Sequence, residues 1–188
     1  MERNRILQLA LISCRVLKYY FIFEIILATS LLVYWHFDKN YFSTFHYNVS
    51  NKNITQSIET NSQTEQNVDK HIYPVSDLIP VSLYFVYFQY AGSSLLQLMM
   101  ILQVINIINS LRDFKTFQNK NVGSLRKIGI LYSIYFILNI FSTGFTEKEG
   151  TVSFSFSGFS LVILISVFIL AEIFKEGTKL YEESQLTV

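Results

Sequence analysis

Four long apolar runs constrain this chain more than any other feature. Leu78–Leu111, Ile128–Thr146 and Gly150–Ala171 contain no Asp, Glu, Lys or Arg, and Tyr19–Phe37 contains one, Glu24. About 20 predominantly apolar residues cover a hydrocarbon core of about 30 Å, so each run has the length of a membrane span. Backbone N–H and C=O groups in hydrocarbon must be satisfied within the protein, and helices are the expected spanning form. The chain is 51% hydrophobic and 15% charged, whereas about 25% of residues are charged in an ordinary globular domain.

The predicted fold is an all-α membrane protein, a four-transmembrane-helix bundle in a single domain of 188 residues. The spans fall at residues 17–37, 79–108, 126–144 and 157–175. Tyr34 and Trp35 close the first, as aromatics do at a membrane–water interface. Leu11-Ile12-Ser13-Cys14 resembles a lipoprotein cleavage box, but Arg15, Lys18 and a full span follow it directly. The preferred reading is therefore a helix that starts early and buries Cys14. Pro74 and Pro80 flank the entry to the second helix, where a missing N–H costs nothing. Residues 38–78 are rich in Asn, Gln, Ser and Thr and read as a long polar loop, with room for a small β ribbon. Thr151–Ser157 alternates Val152, Phe154 and Phe156 with serines. That period of two fits a strand, with part of the long loop as its partner, or simply the first turn of the last helix.

Charge segregation sets the expected orientation. The N-terminal arm carries Arg3, Arg5, Arg15 and Lys18 against Glu2. The connector 111–127 carries Arg112, Lys115, Lys120, Arg126 and Lys127 against Asp113. The long loop holds Lys39, Lys52 and Lys70 against Asp38, Glu59, Glu65, Asp69 and Asp77. Short segments rich in Lys and Arg stay cytoplasmic. Both termini are then inside and the loop extracytoplasmic, in the bacterial cytoplasmic membrane.

Polar groups within spans are the candidate functional residues, because a carboxylate there costs about 2.5–3.5 kcal/mol on insertion scales. Glu24 is the one acid. Gln89, Ser93, Gln97 and Gln103 fall on one side of the second helix and are expected to face other helices. Counting depth from the basic boundaries puts Gln103 nearest Glu24, with Ser133 and Ser166 at the same level. A Glu24–Gln103 contact would serve a transporter or channel subunit, or would only pin packing with Glu24 neutral. No Gly-x-Ser-x-Gly, His-Glu-x-x-His or phosphate-binding glycine loop occurs. One cysteine and three unclustered histidines offer no metal site, and nothing implies a cofactor, an enzyme or direct nucleic-acid binding. The lipid bilayer is the expected partner, with a cytoplasmic protein as a further candidate.

The C-terminal residues 175–188 form a charged tail. Ala171, Glu172, Phe174, Gly177, Leu180, Glu183, Leu186, Thr187 and Val188 form a pattern that resembles the tail of the domain of unknown function 2975 family, bacterial multi-pass membrane proteins. Phe117, Asn121, Leu125, Arg126, Ile128 and Gly129 resemble the stretch before that family's third helix, with Asp113-Phe114-Lys115-Thr116 departing from it. The resemblance implies no known activity. It implies a regulatory role beside a small helix-turn-helix regulator, with Glu172, Phe174, Gly177, Leu180, Glu183, Leu186, Thr187 and Val188 as partner-binding candidates. The competing reading is that the tail packs on the protein's own basic connector.

Overall fold

The computed structural model describes residues 2–49, 53–56, 72–112, 118–146 and 150–186. The centre of the polar loop, 57–71, and of the basic connector, 113–117, lie outside them, as do Thr187 and Val188. Four helices follow the four apolar runs: α1 (Glu2–Phe37), α2 (Pro80–Arg112), α3 (Asn119–Ile140) and α4 (Gly158–Leu186). Among the described residues five strands accompany them: β1 (Phe45–Asn48), β2 (Asn53–Gln56) and β3 (Ile72–Pro74) between α1 and α2, and β4 (Phe141–Phe145) and β5 (Gly150–Phe154) between α3 and α4.

Among the described residues, three helices are long and apolar enough to cross a bilayer: Arg5–Phe37, Pro80–Arg112 and Gly158–Ser184. The third apolar run behaves differently from expectation. Its helix ends at Ile140, and Phe141–Phe145 continues as a strand. The uncharged part of α3, Ile128–Ile140, is about 20 Å long at 1.5 Å per residue. Hydropathy cannot separate a helix end from a short buried strand, because both are simply uncharged.

The chain divides into two units. The first comprises Met1–Glu24, Ser93–Ile137 and Ser157–Val188. Within it Leu11 and Cys14 are buried against Ile108, flanked by Ile101, Val104 and Ile105. Cys14 is thus an ordinary thiol in a helix seam, and α1 is already helical well before it. In the same unit Gly129 of α3 faces Phe168 of α4 so closely that a Cβ there would sit 2.9 Å from the ring.

The second unit comprises Ile25–Gly92 and Leu138–Phe156. Its strands β1, β2 and β3 form an antiparallel sheet in the order β2-β1-β3, with Tyr47 opposite Ile54 and Tyr73. The polar insert therefore holds a three-stranded sheet, more than the ribbon anticipated from its sequence. Its core is Trp35, Phe42, Tyr47, Val49, Tyr73, Val75 and Leu78. Trp35, read from sequence as an interface aromatic, is 2% exposed. Its indole N–H donates to the Val75 carbonyl at 3.2 Å, and the Lys39 ammonium lies 4.5 Å from its ring. An indole buries a large apolar area and needs a partner for its N–H, and this core supplies both.

Strand β4 pairs antiparallel with β5, Phe141 opposite Phe154 and Thr143 opposite Val152. The alternation in the fourth run is therefore a strand, and its partner is the end of the third run rather than the long loop. The hairpin is tied to the sheet inside this unit. The Ser142 hydroxyl donates to the Val49 carbonyl at 2.7 Å, and the Ile79 N–H donates to the Phe145 carbonyl at 3.1 Å. Gly144 allows the approach: a Cβ there would lie 2.5 Å from Val49 Cγ2.

Candidate functional site

Glu24 has a partner on α2, and it is not Gln103. The Ser94 hydroxyl donates to Glu24 Oε2 at 3.2 Å, and Tyr20, one turn back on α1, also hydrogen-bonds the carboxylate. The register explains the difference. In the first unit α1 and α2 run antiparallel, with Leu11 beside Ile108 and Glu24 beside Ser94. Gln103 is nine residues from Ser94, about 13 Å along the helix, so it comes level with Arg15. Depth counted from the basic boundaries fails because α1 extends far below Lys18. Ser133 and Ser166 do not reach Glu24 either. Their hydroxyls donate to the carbonyls of Gly129 and Val162 on their own helices, the usual outlet for a helical serine.

Gln89 is buried in the second unit and serves the backbone. Its side-chain N–H donates to the Leu138 carbonyl at 2.7 Å and also to the Phe141 carbonyl. The last carbonyls of any helix lack intrahelical partners, and α3 breaks here into β4. Gln89 fills that vacancy. Nearby, the Ser82 hydroxyl, 1% exposed, accepts from the Phe145 N–H at 3.0 Å. Gln97 is half-buried on α2, and Gln103 is half-buried beside Lys127.

The tail candidates lie on α4, which runs unbroken to Leu186. Ala171 and Thr178 are buried in the first unit, and the Thr178 hydroxyl donates to the Phe174 carbonyl. Glu172 accepts from Arg126 of α3 at 3.4 Å and from Lys175. Asn119 at the start of α3 donates to Glu182 at 3.4 Å. These exposed contacts are screened by solvent, so they set register more than stability. Phe174 and Gly177 are half-buried and Glu183 is exposed. Leu180 is 65% and Ile173 58% exposed. The side chain of Leu186, with Thr187 and Val188, falls outside the described residues.

Sequence reasoning missed Ser94, Ser82 and Thr178, and named Asn121 only for the family resemblance. Asn121 and Thr178 are 1% and 2% exposed. Ser94 was available as a signal, being the neighbour of Ser93, but it lies about 100° around the helix from Ser93, outside the glutamine stripe.

A protein-family model described as "Protein of unknown function (DUF2975)" matches residues 59–188. The chain belongs to the DUF2975 family. The match takes in α2, α3, the β4–β5 hairpin and α4, and leaves α1 and strands β1 and β2 outside it. No curated protein and no solved structure matches this DUF2975 member.

Proposed function

We propose that this DUF2975 protein is a non-enzymatic membrane protein that offers the end of α4 to a cytoplasmic protein partner. The observation that carries the reading is the two-sided character of that helix. Ala171 and Thr178 bury one side in the protein, while Ile173 and Leu180, seven residues apart, project together from the opposite side. Paired apolar anchors at this spacing, bordered by Glu176, Lys179 and Glu183, are how one helix meets another or a groove. A small helix-turn-helix regulator is the partner class that the family resemblance supports.

The reading needs the tail in the cytoplasm, which four crossings would supply. Hairpin β4–β5 packs on the sheet of the α1–α2 insert within one unit, as the Ser142–Val49 contact requires. That pairing supports the reading that the two ends of α3 lie on opposite sides of the membrane. Its 22 residues span about 33 Å, with Arg126 and Lys127 able to snorkel to the headgroups. The Lys/Arg bias of the arm and connector supports placing them inside, with the acidic insert outside.

A photocrosslinking side chain at Lys179, in cells, tests the reading. One defined crosslinked protein is expected, lost when Ile173→Glu and Leu180→Glu are combined at unchanged abundance in the membrane. Identical products with and without those substitutions overturn it.

A further inference from the structure

Between α2 and α3 in the first unit lies a groove of about 370 Å³, lined by Met99, Leu102, Gln103, Lys127, Ile130 and Leu131. We infer that it holds an anionic phospholipid, with the phosphate at Lys127 and Gln103 and an acyl chain along the four apolar side chains.

The polarity of the groove carries the assignment. Gln103 is its lining residue nearest the C-terminal end of α2, where Arg112 lies, and Lys127 is the one nearest the start of α3, where Lys120 lies. Both polar groups therefore sit at the Lys/Arg-rich end, and Met99, Ile130 and Leu131 lie deeper. A phospholipid entering from that leaflet has the same order, head outward and chain inward. Charge agrees with shape. Arg126 is paired with Glu172, whereas neither Lys127 nor Gln103 is engaged by another group among the described residues. An amide left unbonded beside hydrocarbon is costly, and a lipid phosphate or ester carbonyl relieves it. An ammonium facing a phosphodiester makes a charge-assisted bond of the kind that holds anionic lipids at membrane surfaces. Met99, Leu102 and Ile130 are 45%, 41% and 56% exposed, so an acyl chain has open access to the groove.

The test is native mass spectrometry of the full chain, reconstituted in equimolar phosphatidylglycerol and phosphatidylcholine and then released from the vesicles. Wild type is expected to retain phosphatidylglycerol selectively, with Lys127→Gln lowering that retention about fivefold. Ile130→Trp, which fills the groove and keeps every charge, should lower it as much. Lys120→Gln, outside the groove, should leave it unchanged. Equal retention of the two lipids by wild type overturns the inference. So does an equal loss in Lys120→Gln and Lys127→Gln, which would mean diffuse attraction to the basic end, or full retention in Ile130→Trp.

Discussion

The Gln89 amide of α2 donates to the Leu138 carbonyl at 2.7 Å, closing the end of α3 from a neighbouring helix. A capping group normally comes from the same chain segment or from water. This one is buried, and the carbonyls it meets have just lost their helical partners to strand β4.

Gln89→Leu is therefore expected to destabilise the protein by about 2–4 kcal/mol, because two acceptors lose their shared donor at once. Gln97→Leu, at a half-buried position on the same helix, should stay within about 1 kcal/mol. Thermal unfolding of the two variants in detergent gives the comparison. Equal midpoints would remove the capping role.

Two glycines should respond oppositely to alanine. At Gly144 the new Cβ would lie 2.5 Å from Val49 Cγ2, so Gly144→Ala should cost about 1–3 kcal/mol through overpacking. At Gly123, inside α3, a Cβ meets nothing within 4 Å, and Gly123→Ala should stabilise by about 0.5–1 kcal/mol. A stabilised Gly144→Ala protein would contradict the packing of β4 on Val49.

Tyr47 makes the second unit sensitive to alkali. Burial pushes its phenol up to about 12, whereas an unfolded tyrosine titrates near about 10. The folded state then holds the proton more tightly, so its contribution is complete below about pH 10 and is lost as pH rises towards about 12. Unfolding midpoints across that window should fall for the wild type and fall less for Tyr47→Phe. Parallel pH profiles would show that the phenol is free to ionise in place.

Glu24 is expected to act through packing. Glu24→Gln preserves the capacity to accept from Ser94 and should shift stability by less than about 1.5 kcal/mol. Glu24→Lys, which puts a donor-only cation at the same depth, should abolish stable insertion. Ion or proton flux through reconstituted wild type that disappears in Glu24→Gln would instead favour a transporter.

The legible part of this protein was its solvent. Uncharged runs of membrane length do not depend on what packs against them, so all four helices were readable from hydropathy alone. The family resemblance was legible too, through the tail pattern from Ala171 onward, and the match over residues 59–188 agrees with it. Of the candidate residues, Gln89 is buried, but its task was invisible in the sequence. Nothing local shows that a carbonyl fifty residues away is short of a donor.

Burial and hydration energies add up residue by residue along the chain, which is why composition alone reveals the helices and the charged ends. Contacts between distant segments do not add up that way. The level at which α1 meets α2 decided that Glu24 pairs with Ser94 rather than Gln103. The close approach of Gly144 to Val49 went with a strand at the end of the third run, where an uncharged helix reads equally well in one dimension. Those outcomes depend on which surfaces are brought face to face, and only packing in three dimensions selects them.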